Sequence, residues 1–208
     1  WTAALVAVVT IGLLYLYISR RAYRATYGDA RRGFQYALVT RNLWRLGLLS
    51  PHPKNWRPTF LVLSGNPKTR YPLLQYAVWL EAGRGIVSMA EVIRGNVSEM
   101  AERRQAALER AERFLAEREM NIYPEVIVTE DLDVGIRVLL QAHSIGPIKP
   151  NTILLGWRSE RDRAGPYVRH LADVRRLGKS VICMQNVEDI PRAPRRLDIW
   201  WRGRQNGS

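Results

Sequence analysis

The first stretch of the chain is apolar and uncharged. No residue from 1 to 18 carries a charge, and an apolar run of about 18 residues or more is typical of a membrane-spanning helix. Basic residues follow at once at Arg20, Arg21 and Arg24, and positive charge beside a span marks its cytoplasmic side. A signal peptide carries its basic residues before the apolar run. The pattern therefore favours a membrane helix over residues 1–19, with a buried core helix as the alternative.

Residues 20–58 form a basic connector. Nine Arg and Lys residues stand against one acidic residue between positions 19 and 58. Two short amphipathic stretches lie here, one around Phe34 and Leu38 and a denser apolar one from 43 to 49. A basic helix of this kind either lies on an anionic membrane surface or packs between a membrane domain and a soluble domain. The high apolar content favours packing.

From residue 59 onward, short apolar runs alternate with longer amphipathic stretches. The predicted strands are residues 59–63, 86–93, 126–129, 152–155 and 181–184. The predicted helices are residues 72–82, 96–120, 132–143 and 167–177. Strands that alternate with helices form βαβ units around a parallel sheet, and continuously apolar strands fit a sheet covered on both faces. The pattern predicts a doubly wound, Rossmann-like α/β sandwich over residues 59–190.

Several helix ends are marked by particular residues. Asn96 is suited to cap the long helix, since its side-chain oxygen can accept a hydrogen bond from a first-turn amide. Gly83 and Gly85 are expected to end the first helix of the sandwich, and Gly178 the last, because glycine adopts the left-handed conformation of a helix C-cap.

The loop after the first predicted strand is the leading candidate for a ligand site. In doubly wound sheets, ligands bind beyond the carboxyl ends of the strands. The candidate residues are Ser64, Gly65, Asn66, Lys68 and Arg70. A glycine main chain, a hydroxyl and two cations suit a phosphate group. The loop matches neither of the common glycine-rich phosphate motifs, so an ordinary solvated crossover loop is the alternative.

Two further loops belong to the same edge of the predicted sheet. Glu130 and Asp131 follow the third strand, and residues 156–158 follow the fourth. Asp131 and Asp133 can bind a cation or favour the start of the third helix, and the second interpretation is preferred because carboxylates stabilise helix N-termini.

Composition narrows the function classes. The single cysteine, Cys183, lies in an apolar run and is expected to be a buried small hydrophobe in a reducing compartment. The motifs of serine hydrolases and zinc proteases are absent, and His143 and His170 fall in helical segments, so no enzyme activity is expected. The net charge of +13 is concentrated beside the apolar start, which membrane topology explains better than nucleic-acid binding.

Four segments resemble the cation–chloride cotransporter family, in the amino acid/polyamine/organocation permease superfamily. They are the apolar start, the NWRP run at 55–58 followed by the first strand, the KPNTILLGW run at 149–157, and the LDIWW run at 197–201. The segments keep the family's order and span nearly the whole chain. The resemblance implies the last membrane helix of a transporter followed by the first half of its cytosolic C-terminal domain, with residues 191–208 starting a truncated second half.

The resemblance also implies function. Family members move chloride with sodium, potassium or both by electroneutral symport, and their cytosolic domains are similar to universal stress proteins and form homodimers. Some members bind ATP in the first half, which makes the loop from Ser64 to Arg70 a candidate ATP site, although Ser64 stands near a basic position of the family. The expected role is a regulatory and dimerising cytosolic domain attached to its own transporter core. The alternatives are a stand-alone ATP-binding module of universal-stress-protein type and a domain of an amino acid transporter.

Overall fold

The structure is a computed structural model that describes residues 1–22, 27–157 and 164–185, without the side chains of 18–22, 27–30 and 164. The chain divides into two units, Trp1–Leu49 and Ser50–Ser208. The LDIWW run at 197–201, Arg158 and the proposed second half at 191–208 lie outside the described residues.

The first unit contains two described helices, α1 (Thr2–Ala22) and α2 (Tyr27–Leu48). The large apolar side chains of α1 are exposed, among them Leu5 and Leu13. Within the described part of the chain, no helix has both the length and the apolar character that crossing a bilayer requires.

The connector is one helix rather than two short amphipathic stretches. Helix α2 runs without a break through both of them. Its large apolar side chains, including Phe34 and Trp44, are mostly exposed, and only Leu38 and Leu43 are half-buried among residues 31–48. The packing of this helix between a membrane domain and a soluble domain stays a prediction.

The second unit is an α/β sandwich. Its strands are β1 (Thr59–Leu63), β2 (Ile86–Arg94), β3 (Ile122–Thr129), β4 (Thr152–Gly156) and β5 (Ser180–Met184). Its helices are α3 (Tyr71–Glu81), α4 (Val97–Ala116), α5 (Leu132–Ala142) and α6 (Ala164–Arg176), preceded by a 3₁₀ turn at Pro53–Asn55. All described strand pairs are parallel, in the order β3-β2-β1-β4-β5. This order confirms the predicted Rossmann-like sheet.

Alternate residues of β1 show why the strands are apolar throughout. Phe60 and Val62 belong to the core beneath α3 and α4, whereas Leu61 belongs to the core beneath α5 and α6. Both faces of the sheet are covered, so both sets of side chains are removed from water. The result is a three-layer sandwich.

Several boundaries differ from the sequence prediction. Strand β3 begins at Ile122, four residues early, because a strand at the sheet edge tolerates Pro124. Helix α4 ends at Ala116 rather than at residue 120. The predicted cap of α4 is confirmed, since Asn96 Oδ1 accepts a hydrogen bond from the Ser98 amide at 2.9 Å.

The two glycines after α3 have different roles from the predicted C-cap. The residue that first takes the left-handed conformation is Ala82, at φ +54°, followed by Gly83 at +70°. Gly85 is required for a different reason, because a Cβ there would overlap the main-chain carbonyl of Pro58. The side chain of Glu81 accepts hydrogen bonds from the amides of both glycines.

The prediction for Cys183 is wrong. The residue lies on β5, at the edge of the described sheet, and its side chain is exposed. An edge strand is covered less completely than the central strands, and the apolar run around Cys183 did not reveal that position.

Candidate functional site

A cavity of about 800 Å³ opens at the carboxyl edge of the sheet. It lies where β1 and β4 are neighbours. The chain leaves β1 towards α3 on one face, and α5 and α6 cover the other face. Because the connections that leave β1 and β4 run to opposite faces of the sheet, they diverge and leave a crevice for a ligand.

Most of the predicted site residues meet in this cavity. Its wall includes Ser64, Gly65, Asn66, Arg70, Glu130, Asp131 and Gly156. Three separate loops of the sequence are therefore brought together, as the strand-end rule predicts. The binding role of these residues is not tested by their position and stays a prediction.

The loop after β1 is fixed by its own hydrogen bonds. The Gly65 amide donates to the carbonyl of Ala90 on the neighbouring strand at 3.1 Å, and Gly65 adopts φ +64°. Ser64 is 3% exposed, and its hydroxyl donates to the Gly65 carbonyl at 3.2 Å. Asn66 Oδ1 accepts from the Lys68 amide at 3.0 Å. These hydrogen bonds fix the shape of the loop.

Arg70 is the predicted site cation that lines the cavity, and Arg94 is a second arginine in its wall. Arg70 is half-buried and stands at the N-terminus of α3, which has neither a side-chain cap nor an acidic residue in its first turn. Its guanidinium lies against Gly156, where any Cβ would collide with it. Among the described residues, Arg70 forms no ion pair, so its charge and the positive end of the helix dipole act together on the cavity.

Lys68 does not join Arg70 there. Its side chain is exposed, and the residue is absent from the described cavity wall. A turn closed by Asn66 and Thr69, whose hydroxyl donates to the Asn66 carbonyl at 3.0 Å, separates the two cations. Of the two predicted phosphate-binding cations, only Arg70 lines the cavity.

The cavity wall also carries acidic residues, beside Arg94 and His170. Asp131 caps α5, since its Oδ1 accepts hydrogen bonds from the amides of Asp133 and Val134 at 2.8 and 3.3 Å. The preferred interpretation of Asp131 as a helix-start residue is confirmed. Glu130 accepts a hydrogen bond from Asn96 Nδ2 at 3.3 Å through its carboxylate.

Asp133 joins α5 to α6. Its carboxylate accepts a hydrogen bond from Arg169 at 2.9 Å. His170 Nε2 lies 2.9 Å from the other carboxylate oxygen, within ion-pair distance but without the alignment of a hydrogen bond. The hydrogen bond from Arg169 lowers the pKa of Asp133, and the charges of His170, Arg169 and Arg137 lower it further against the opposing effect of burial.

Three wall residues were missed by sequence reasoning. They are Arg94 at the end of β2, and Tyr167 and His170 in the first two turns of α6. The rule that ligands bind beyond the carboxyl ends of strands identifies Arg94 if it is applied to β2. Tyr167 and His170 lie near the N-terminus of α6, and helix N-termini lie at that same edge of the sheet. The Tyr167 hydroxyl is buried without a hydrogen bond to a described residue, and burial, with Cys183 beside it, raises the pKa of the phenol.

Trp157, from the third predicted loop, lies beside the cavity. Its ring meets the ring of Tyr167 edge to face, with the centroids 5.7 Å apart, and about half of its surface is exposed. Its amide donates to the Met184 carbonyl at 2.7 Å, which joins the ends of β4 and β5. Trp157 therefore supports the wall through Tyr167.

The family model of solute carrier family 12 matches residues 70–168. The matched segment starts at Arg70 in the cavity wall, continues through α3, α4 and α5, and ends within α6. It therefore includes Arg70, Glu130, Asp131 and Gly156 of the cavity wall, whereas Ser64, Gly65 and Asn66 lie before it.

Proposed function

We propose, from the match of residues 70–168 to solute carrier family 12, that the chain is part of a transporter of the cation–chloride cotransporter family. The α/β unit is the cytosolic regulatory and dimerisation domain of such a transporter. The full protein carries out electroneutral symport of chloride with sodium, potassium or both. The α/β unit performs no chemistry and acts by binding.

The N-terminal segment attaches this domain to the membrane in our proposal. Residues 1–18 carry no charge, and exposed apolar side chains such as Leu5 and Leu13 cover α1. Apolar surface of this extent is stabilised when it leaves water. The basic residues that follow support a position of the α/β unit on the cytoplasmic side.

The cavity is the regulatory site, and its ligand is a nucleotide such as ATP. The observation that carries this proposal is Arg70, a half-buried guanidinium in the cavity wall that forms no ion pair with a described residue. Arg70 and the loop main chain at Gly65 and Asn66 would hold phosphate oxygens. The volume of about 800 Å³ lies in the range of small-molecule sites.

The acidic residues of the wall limit what the rest of the ligand can be. Glu130 and Asp131 line the same cavity. Their carboxylates repel a further anionic group of the ligand but accept hydrogen bonds from its hydroxyl groups. A ligand with an anionic end and a hydroxylated sugar matches both the arginine and the carboxylates. A nucleotide has this composition.

Regulation follows if ATP binds one domain arrangement more tightly than another. A ligand shifts a conformational equilibrium only by its difference in affinity for the two states. We propose that ATP occupancy changes the geometry of the homodimer and, through the connector, the transporter core.

Three measurements test these statements separately. Calorimetry with ATP on the detergent-solubilised chain tests the site, and failure to saturate at millimolar ATP contradicts it. Sedimentation tests the dimer, and a monomeric parent protein contradicts it. Uptake of rubidium or sodium by the reconstituted full-length protein tests the substrates, and uptake that does not depend on chloride favours an amino acid or other permease.

A stand-alone nucleotide-binding module is the second candidate. The observation that favours it is that the sheet, both cores and the cavity all belong to the second unit. ATP binding by a protein that is released from membranes at alkaline pH would support this candidate against the first.

A further inference from the structure

The edge of the sheet opposite the cavity is basic. Parallel strands start at one edge, and cations stand just before four of the five described strands: Arg57 before β1, Arg84 before β2, Lys149 before β4 and Lys179 before β5. Lys54, in the 3₁₀ turn, and Arg175, at the end of α6, add two more. We name these six residues the basal surface.

The six basal cations outnumber the carboxylates that stand at the same edge, Glu81, Glu117 and Glu119. Five of the six side chains are exposed and Lys179 is half-buried. Among the described residues, none of the six forms an ion pair. The nearby Glu81 is occupied by the amides of Gly83 and Gly85.

Lys179 and Lys149 show how close these cations are. The Nζ of Lys179 donates to the carbonyl of Leu140 at the end of α5. Burial lowers the pKa of Lys179, and repulsion from Lys149 lowers it further. A surface that holds like charges this close gains stability when an anion approaches.

Apolar groups accompany the charge. Trp56, between Lys54 and Arg57, is 58% exposed, and Leu177 in the α6–β5 loop is also exposed. Tryptophan beside basic residues is typical of a protein surface at the level of lipid headgroups. An exposed tryptophan beside cations can also stack on unpaired nucleobases, so a nucleic acid is the alternative occupant that the test below includes.

The path of the chain favours lipid as well. The main chain enters the α/β unit through Pro53–Asn55, on the basal surface itself. If the N-terminal segment is in the membrane, the covalent link to it raises the effective concentration of the basal surface at the bilayer.

We propose that the basal surface binds the anionic headgroups of the cytoplasmic leaflet, here phosphatidylserine, so that the cavity at the opposite edge faces away from the bilayer. This inference rests on the proposed membrane attachment. Six cations at one edge match a polybasic surface held by an anionic leaflet.

Hydrogen–deuterium exchange of the whole chain in lipid nanodiscs tests the proposal. One set of discs contains phosphatidylcholine alone, and the other contains about 30% phosphatidylserine. We expect exchange at residues 54–57, 84–86, 149–152 and 179–181 to slow at least about threefold in anionic discs, and the effect to disappear in about 0.5 M sodium chloride. Exchange at residues 64–70, on the cavity edge, serves as the internal reference and stays unchanged.

A matched pair of variants isolates the basal charges. Replacement of Arg57, Arg84 and Lys149 by Gln removes three basal cations, and replacement of Lys68, Arg103 and Arg113 by Gln removes three exposed cations elsewhere. We expect only the first triple variant to lose the protection. Unchanged exchange at residues 64–67, which precede the substituted Lys68, shows that each variant is folded.

The outcomes separate this inference from the proposed function. If the chain co-elutes with both kinds of disc but its basal segments exchange equally in both, the inference alone is overturned. Equal loss of protection in the two triple variants overturns it as well. If the chain co-elutes only with anionic discs, the result contradicts the proposed membrane helix and supports lipid binding by the basal surface. If the chain co-elutes with neither kind of disc, both the proposed membrane attachment and the lipid binding of the basal surface are overturned. Stronger protection by an RNA oligonucleotide than by anionic discs assigns the surface to nucleic acid instead.

Discussion

Asn151 Oδ1 accepts a hydrogen bond from the Thr59 amide at 3.0 Å, across 92 positions of the sequence. The same side chain donates through Nδ2 to the Arg57 carbonyl at 2.7 Å. The NWRP and KPN runs therefore meet where β1 and β4 begin, and Asn151 aligns the entering chain with the centre of the sheet. In this structure, the two runs are structural rather than ligand-binding.

Removal of this junction should destabilise the sandwich. We expect Asn151→Ala to lower the free energy of unfolding by about 1–3 kcal/mol, because two main-chain groups lose their partners. Urea denaturation measures the change. Gln105→Ala, at an exposed position of α4, is the control and should stay within about 0.5 kcal/mol. A similar value for both variants would show that Asn151 does not hold the strands.

Gly85 should not tolerate a side chain. Its Cβ would overlap the carbonyl of Pro58, which itself accepts a hydrogen bond from the Ile86 amide at 3.1 Å. We expect Gly85→Ala to lower the melting temperature by several degrees or to prevent folding, since backbone must move. Gly165→Ala, where the nearest atom is a flexible arginine tip at 3.8 Å, should change it little. Equal melting temperatures for the two variants would refute the close approach.

The two cations of the ligand loop should behave differently. We expect Arg70→Gln to weaken ATP binding by at least about tenfold, the loss of one charge-assisted contact. Lys68→Gln should leave the dissociation constant within about twofold, because this side chain is exposed and outside the described cavity wall. Calorimetry under identical conditions compares them. An equal loss in both variants would indicate that ATP responds to overall charge and not to the cavity.

Asp133 should contribute stability that acid removes. Its pKa is lowered in the folded chain, chiefly by the hydrogen bond from Arg169, so folding favours the ionised form. That contribution is present above the ordinary carboxyl pKa of 3.8 and disappears as the pH falls through the lowered folded value. For a partly exposed group the gain is below about 1 kcal/mol.

The comparison of wild type with Asp133→Asn checks the sign. Urea denaturation near neutral pH should show the wild type as the more stable form, and the difference should shrink as the pH falls below about 4. Glu102→Gln is the control, at an exposed carboxyl of α4 that forms no ion pair with a described residue. A difference for Asp133→Asn that grows in acid would contradict the assigned direction.

The sequence predicts the sheet well because its strands are apolar on both faces. The run at 59–63 gives the bounds of β1 without error, whereas Pro124 and Glu125 conceal the first half of β3. Edge position, which decides the start of β3 and the exposure of Cys183, is a property of the folded sheet and leaves no periodic signal in a short strand.

The cavity is predicted in place but not in composition. The strand-end rule locates the loop after β1, yet spacing alone does not distinguish Lys68 from Arg70, since the turn at Asn66 decides which of them faces the cavity. Tyr167 enters the wall through the position of α6, which no local pattern of residues specifies. Asn151 was part of a recognised run, but its partners lie far away in the sequence.

Membrane attachment is the claim on which the proposed transporter role depends. Alkaline carbonate extraction of membranes from cells that make the intact protein tests it most directly, because carbonate releases proteins bound through charge and leaves proteins that cross the bilayer. The account predicts that the protein stays in the membrane pellet together with an integral marker. Its appearance in the carbonate supernatant would contradict the account.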